Sequence, residues 1–174
     1  MSGIRPPVDP NVRSPTYYVA RTSVRCWHCG SSTRLLALAM PHGHETLDTD
    51  ADTDAVVDRV EPVSEAWQRT GIGAFLFYVE HLSDVVQDRL HQLSSHFRLA
   101  HSVVTLSSYW ANHCEHCGIL LGDHELHCEP DGAFVPTSET AAANIQLVQI
   151  EEPFEAVAAG YSYEPEFFRF MRKS

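Results

Sequence analysis

The chain has 174 residues, with 12 Lys+Arg against 23 Asp+Glu and a formal net charge of −11. Apolar residues make up 44% and charged residues 20%, the balance expected of one folded domain with a real core. This acidity argues against nucleic-acid packaging and against anionic membranes. No apolar run reaches the length of a membrane span, and MSGIRPPVDPNVRSP lacks the apolar centre of a secretory signal, so the expected location is cytoplasmic.

Residues 1–15 hold four prolines and read as a flexible tail ahead of a single domain over 16–174. Residues 16–25, TYYVARTSVR, are aromatic and β-branched and predict a strand. The turn Cys26-Trp27-His28-Cys29-Gly30 follows, and TRLLALAM at 33–40 reads as the return strand. The segment 41–54 is polar and acidic and reads as a loop. A short strand is expected at 55–60, then a short helix over EAWQRT capped by Ser64 and stopped by Gly71. AFLFYVE at 74–80 has the length and apolar continuity of a strand.

Leu82, Val86, Leu90, Leu93 and Phe97 recur at helical intervals and predict a helix over 83–97, with Ser83 as N-cap and His91 on the solvent side. Residues 102–110 read as a strand leading into Cys114-Glu115-His116-Cys117-Gly118, and 119–128 as its return, a second hairpin on the plan of the first. A short helix is expected at 137–144 from Thr137 or Ser138, and a strand at 145–150. Phe167, Phe168, Phe170 and Met171 read as a segment that docks on the chain's own core.

Both turns read C-x-H-C-G. Two residues between cysteines let a tight turn aim both sulfurs at one ion, and the trailing glycine can take the positive φ that turns the chain back. Two such knuckles supply four thiolates, a closed tetrahedral shell for one zinc ion held by Cys26, Cys29, Cys114 and Cys117. Residues 30–113 separate the knuckles, so an insertion is expected between them. His28 and His116 read as turn residues whose rings donate to nearby carbonyls, and Cys128 as a small apolar residue.

Paired C-x-x-C-G knuckles on β-hairpins resemble the zinc-ribbon class. The stretch Tyr109–Cys114 through Gly122-Asp123, with Glu129-Pro130-Asp131-Gly132 and Phe134, is similar to uncharacterised bacterial zinc-ribbon-type proteins. The resemblance implies a structural metal at the four cysteines. The fold expected is α+β: a zinc-ribbon-like pair of β-hairpins (16–40 and 102–128) with an α/β insertion (41–101) and a C-terminal extension (129–174).

Other groupings are less specific. Asp50, Asp52, Asp54, Asp58 and Glu61 match the oxygen spacing of an EF-hand loop, but Ala55 stands where the sharp turn needs Gly, so an acidic surface loop is the better reading. His42, His44, His124 and His127 could form a second metal site only if folding brought them together. No P-loop, G-x-S-x-G or kinase signature is present, and no catalytic or cofactor-binding residue is assigned. The leading expectation is a non-enzymatic binding protein whose acidic surface, the Asp48–Asp58 loop included, meets a basic protein partner as an adaptor or as an immunity- or antitoxin-like inhibitor. The alternatives are a nucleic-acid-binding regulator using Arg21, Arg25 and Arg34 beside the first knuckle, and a metal-dependent hydrolase built on the histidines.

Overall fold

The computed structural model describes residues 8–47, 67–162 and 165–174. A nine-stranded mixed sheet dominates. In chain order its strands are β1 (Val12–Ser14), β2 (Tyr17–Arg25), β3 (Ser32–Met40), β4 (Glu45–Leu47), β5 (Trp67–Arg69), β6 (Ala74–Leu82), β10 (Gln146–Ile150), β11 (Phe154–Ser162) and β12 (Arg172–Lys173). They lie side by side in the order β12-β10-β2-β3-β6-β11-β1-β4-β5. Only β10 and β12 run parallel; the other neighbours are antiparallel. A second sheet holds β7 (Phe97–Ser102), β8 (Ser107–His113) and β9 (Leu120–Leu121). The helices are short: α1 (Asp84–Leu93), α2 (Asp123–His127), α3 (Glu139–Ala142) and α4 (Pro165–Phe168).

This corrects the expected α+β ribbon with an α/β insertion. The protein is mostly β, and the first knuckle hairpin is the middle of a large sheet rather than half of a small ribbon. Strand β6 of the supposed insertion pairs with β3, and β11 of the supposed extension pairs with both β6 and β1. The sheet is covered on both sides, which explains the unbroken apolar run of β3. On one face Val19, Leu36, Leu38, Met40 and Leu76 pack against Val86 and Leu90 of α1 and against Phe97 and Trp110 of the small sheet. On the other, Leu35, Ala37, Ala39, Phe75 and Leu147 meet Leu126, Phe134, Ala142 and Met171. Each fully buried aliphatic side chain of this kind contributes about 1.5–3 kcal/mol.

Local expectations divide. Strand β6, strand β10 and the helix behind Ser138 form where expected, and the Ser138 hydroxyl accepts from the Ala141 N–H as an N-cap. Met171 is buried, with Phe167, Phe168 and Phe170 packed beside it, as a docking segment should be. The helix over 83–97 stops at Leu93, because Ser94 turns to an extended conformation and its hydroxyl accepts from the His96 N–H. Leu82 and Phe97 still reach the same core, from the strands on either side.

Four local expectations fail. Val12–Ser14, read as part of the tail, is strand β1. The single strand over 102–110 is two strands joined by an exposed turn, with Leu106 at φ 54° and the Ser102 hydroxyl accepting from the Thr105 N–H. Without Gly or Asn at the turn, no sequence signal marks it. The return from the second knuckle is only β9, after which Asp123 starts α2. Trp67–Arg69, expected in a helix, is strand β5 paired with β4, with the Arg13 guanidinium 4.0 Å above the Trp67 ring. Strand β4 offers an open ladder to these residues, and pairing with it overrides their helical pattern. The acidic loop 48–58, the EF-hand-like spacing over 50–61, the strand expected at 55–60 and Ser64 lie outside the described residues.

Candidate metal centre

The two knuckles are the same turn built twice. In the first, the Gly30 N–H donates to the Cys26 carbonyl at 2.8 Å and the Cys26 N–H to the Ser31 carbonyl at 2.9 Å. In the second, the Gly118 N–H donates to the Cys114 carbonyl at 2.9 Å and the Cys114 N–H to the Ile119 carbonyl at 2.9 Å. Gly30 and Gly118 both sit at φ 74°. An added Cβ would meet nothing within 4 Å at either position, so the glycines are needed for backbone conformation and not for space.

Folding brings the four cysteines together. Their sulfurs all lie within 4.8 Å of one another. Cys26 faces Cys117 and Cys29 faces Cys114, each pair with sulfurs 3.7 Å apart. A tetrahedral ion with metal–sulfur bonds of about 2.3 Å has sulfur–sulfur edges of about 3.8 Å. A disulfide would need about 2.05 Å. The group therefore has the dimensions of a four-thiolate metal shell. Cys26 and Cys114 are buried while Cys29 and Cys117 are exposed, so the centre lies at the surface with one side in the core.

Electrostatics point the same way. The N–H groups of Cys117 and His116 bring the Cys114 thiol down to about 6. Backbone and side-chain hydrogen bonds from Ser31 lower Cys29 as well. Cys117 is driven up to about 12 even though the Ile119 N–H favours its thiolate, because desolvation and then hydrogen bonds with the sulfurs of Cys26, Cys114 and Cys29 favour the thiol. Four adjacent thiols cannot all ionise unless a cation balances them.

The second knuckle is held in place largely by side chains on or near β3. The Glu115 carboxylate accepts from the Arg34 N–H at 2.9 Å and from its guanidinium at 2.6 and 2.8 Å. The Glu115 N–H donates to the buried Thr33 hydroxyl at 3.0 Å, and His116 Nε2 donates to the Ser32 carbonyl at 3.0 Å. Behind them the buried Asn112 amide accepts from the Leu36 N–H at 2.9 Å and donates to the Leu36 carbonyl at 2.8 Å. Asn112 thus acts as a one-residue strand, at the point where β6 no longer pairs with β3. Sequence reasoning missed these ties. The one available signal was a lone amide in the apolar run Tyr109-Trp110-Ala111-Asn112.

The remaining candidates do not converge. His116 makes the expected bond to a carbonyl, while His28 lies edge-on to the exposed Trp27 ring. His42 is exposed; His44 is buried, and its Nδ1 donates to the Pro41 carbonyl at 2.8 Å. His124 is exposed and bonded to Glu129, whereas His127 is buried and stacked between Phe77 and Phe134. Burial pushes His127 down to about 3, so it remains neutral. Cys128, read from the sequence as a small apolar residue of the kind usually buried, is exposed. Among the described residues, the four-cysteine group is the only set of three or more His, Cys, Asp or Glu side chains placed to share an ion. Of the three arginines flanking the first knuckle, Arg34 is paired with Glu115 and Arg25 leans on the Gly30 carbonyl.

No protein-family model matches this chain, nor does any curated protein or solved structure. The resemblance to zinc ribbons therefore rests on the knuckles alone. No helix among the described residues is long and apolar enough to cross a membrane.

Proposed function

We propose that this chain is a non-enzymatic, cytoplasmic binding protein whose fold is pinned by one structural zinc ion at Cys26, Cys29, Cys114 and Cys117. The observation that carries this reading is the set of four sulfurs at tetrahedral-edge distances. Four thiolates close the shell and leave no position for a water or substrate, so the ion cross-links the chain and activates nothing. Its partner, on this reading, is a basic protein surface, and the role is that of an adaptor or an immunity- or antitoxin-like inhibitor. Two features support an interaction role: the net charge of −11, and large apolar side chains held in solvent at hairpin tips. Trp27 is 64% exposed on the first knuckle and Val104 90% exposed on the β7–β8 turn. Isolated tryptophans of this kind are frequent binding anchors.

Elemental analysis tests the metal. One zinc per chain is expected, with loss of the folded signal on chelation; a metal-free chain that melts at the same temperature would end the proposal. Reversing the charges of Asp50, Asp52 and Asp54 tests the partner reading, since affinity for a basic partner should fall and its salt dependence should flatten.

A further inference from the structure

Beside the knuckles lies a half-open groove of about 860 Å³, bounded by β2, β3, β10, β12 and the C-terminal end of α1. Its character opposes that of the whole protein. Arg21, Arg34 and Arg172 line it, together with the amides of Asn144 and Gln146. Its one carboxylate, Glu115, is already bound by Arg34. Arg21 and Arg172 make no ion pair or side-chain hydrogen bond among the described residues, in a chain where acids outnumber fixed cations 23 to 12.

The sheet register fixes how these two arginines are placed. Gln146 is the cross-strand partner of Arg21 on one side and of Arg172 on the other. Cross-strand partners share a face, so Arg21, Gln146 and Arg172 form one row pointing into the groove. The outer two stand about 10 Å apart at their Cα atoms, two strand spacings. Two unpaired guanidinium forks flanking an amide suit a ligand with clustered anionic oxygens and neutral hydrogen-bonding groups between or beside them.

We propose that this groove binds a small, non-aromatic organic phosphate of the sugar-phosphate type. The size lies within the range of small-molecule sites. The only rings that line the groove are the imidazoles of His91 and His96, so a nucleobase would find no Phe, Tyr or Trp to stack on. A long polyanion would extend beyond the groove into the field of a chain at −11, whereas a compact one meets only the local arginines. The proposal does not depend on which metal the cysteines hold.

Calorimetric titration of the metal-loaded protein with fructose 1,6-bisphosphate at low salt tests it. One saturable site is expected. Arg21→Gln and Arg172→Gln should each weaken binding about tenfold or more, the loss of a charged hydrogen-bonding group. Lys173→Gln, the same charge change one residue along β12 and on the opposite face, should stay within about twofold of the wild type. Metal content and melting temperature, read on every variant, report whether it is folded. Absence of binding by the wild type would overturn the proposal, as would equal weakening by Lys173→Gln or arginine variants that are folded and bind normally. Tricarballylate binding as tightly as the bisphosphate would overturn the phosphate assignment. A single-stranded oligonucleotide that displaces the bisphosphate at lower concentration would overturn the small-ligand class.

Discussion

The first and second knuckles have matching sequences and matching turns, yet the protein supports them by different means. The first closes a hairpin of two nine-residue strands joined through eight register pairs. The second is carried by β8 and returns through a two-residue strand with two pairs. Its position depends on Asn112, Glu115 and His116 reaching across to β3. Five residues in a fixed pattern are enough to specify a knuckle. They do not specify what holds the knuckle in place.

The most severe way to break this comparison is to remove one sulfur from each knuckle in turn. Cys26→Ser and Cys114→Ser should each abolish metal binding and unfold the knuckle region, despite the unequal strands behind them, because binding energy and folding energy are then one quantity. Metal content and circular dichroism would show it; a Cys26→Ser chain that keeps its metal while Cys114→Ser loses it would mean the two knuckles do not share one site. Asn112→Ala should act chiefly on the second knuckle, touching the first hairpin only at Leu36. It strands the Leu36 N–H and carbonyl in a buried position and should cost about 2–5 kcal/mol in denaturant unfolding, with the first hairpin's amide protection retained in hydrogen exchange.

The smallest of the three effects concerns Asp123, which follows the second knuckle. Burial raises its carboxyl from the ordinary 3.8 to about 7, although the Tyr78 N–H, 2.8 Å away, favours the ionised form. As pH rises, the unfolded chain loses this proton first. The stability carried by the protonated acid is whole below about 4 and drains until about 7. Asp123→Asn should remove that slope and make the protein more stable than wild type above pH 7, by up to about 4 kcal/mol. Measuring both chains at each pH cancels the acid sensitivity of the metal site. Parallel stability curves for the two chains would show that Asp123 ionises as an ordinary surface acid.

The local patterns were legible for physical reasons. A C-x-H-C-G run has one economical conformation around a metal, so its glycines land at the same φ in both copies. The stripe Val86, Leu90, Leu93 repeats at the helical period and becomes α1. By contrast, the run Phe154–Ser162, central to the sheet, drew no expectation, because small residues such as Ala156, Ala158 and Gly160 carry little strand signal. Gly160 is there because the Phe77 ring lies over it; an added Cβ would come within 2.1 Å of that ring. Such a contact belongs to two strands at once and is visible in neither.

Sequence alone determined which four cysteines would meet and the shape of the turn that presents each pair, since both follow from spacing within five residues. Tertiary structure decided what those turns are mounted on: a nine-stranded sheet in place of a ribbon, and an acidic chain whose groove gathers Arg21, Arg34 and Arg172. Strand pairing and the sharing of charges join residues far apart along the chain, and the free energy of those encounters depends on every surface that is buried with them.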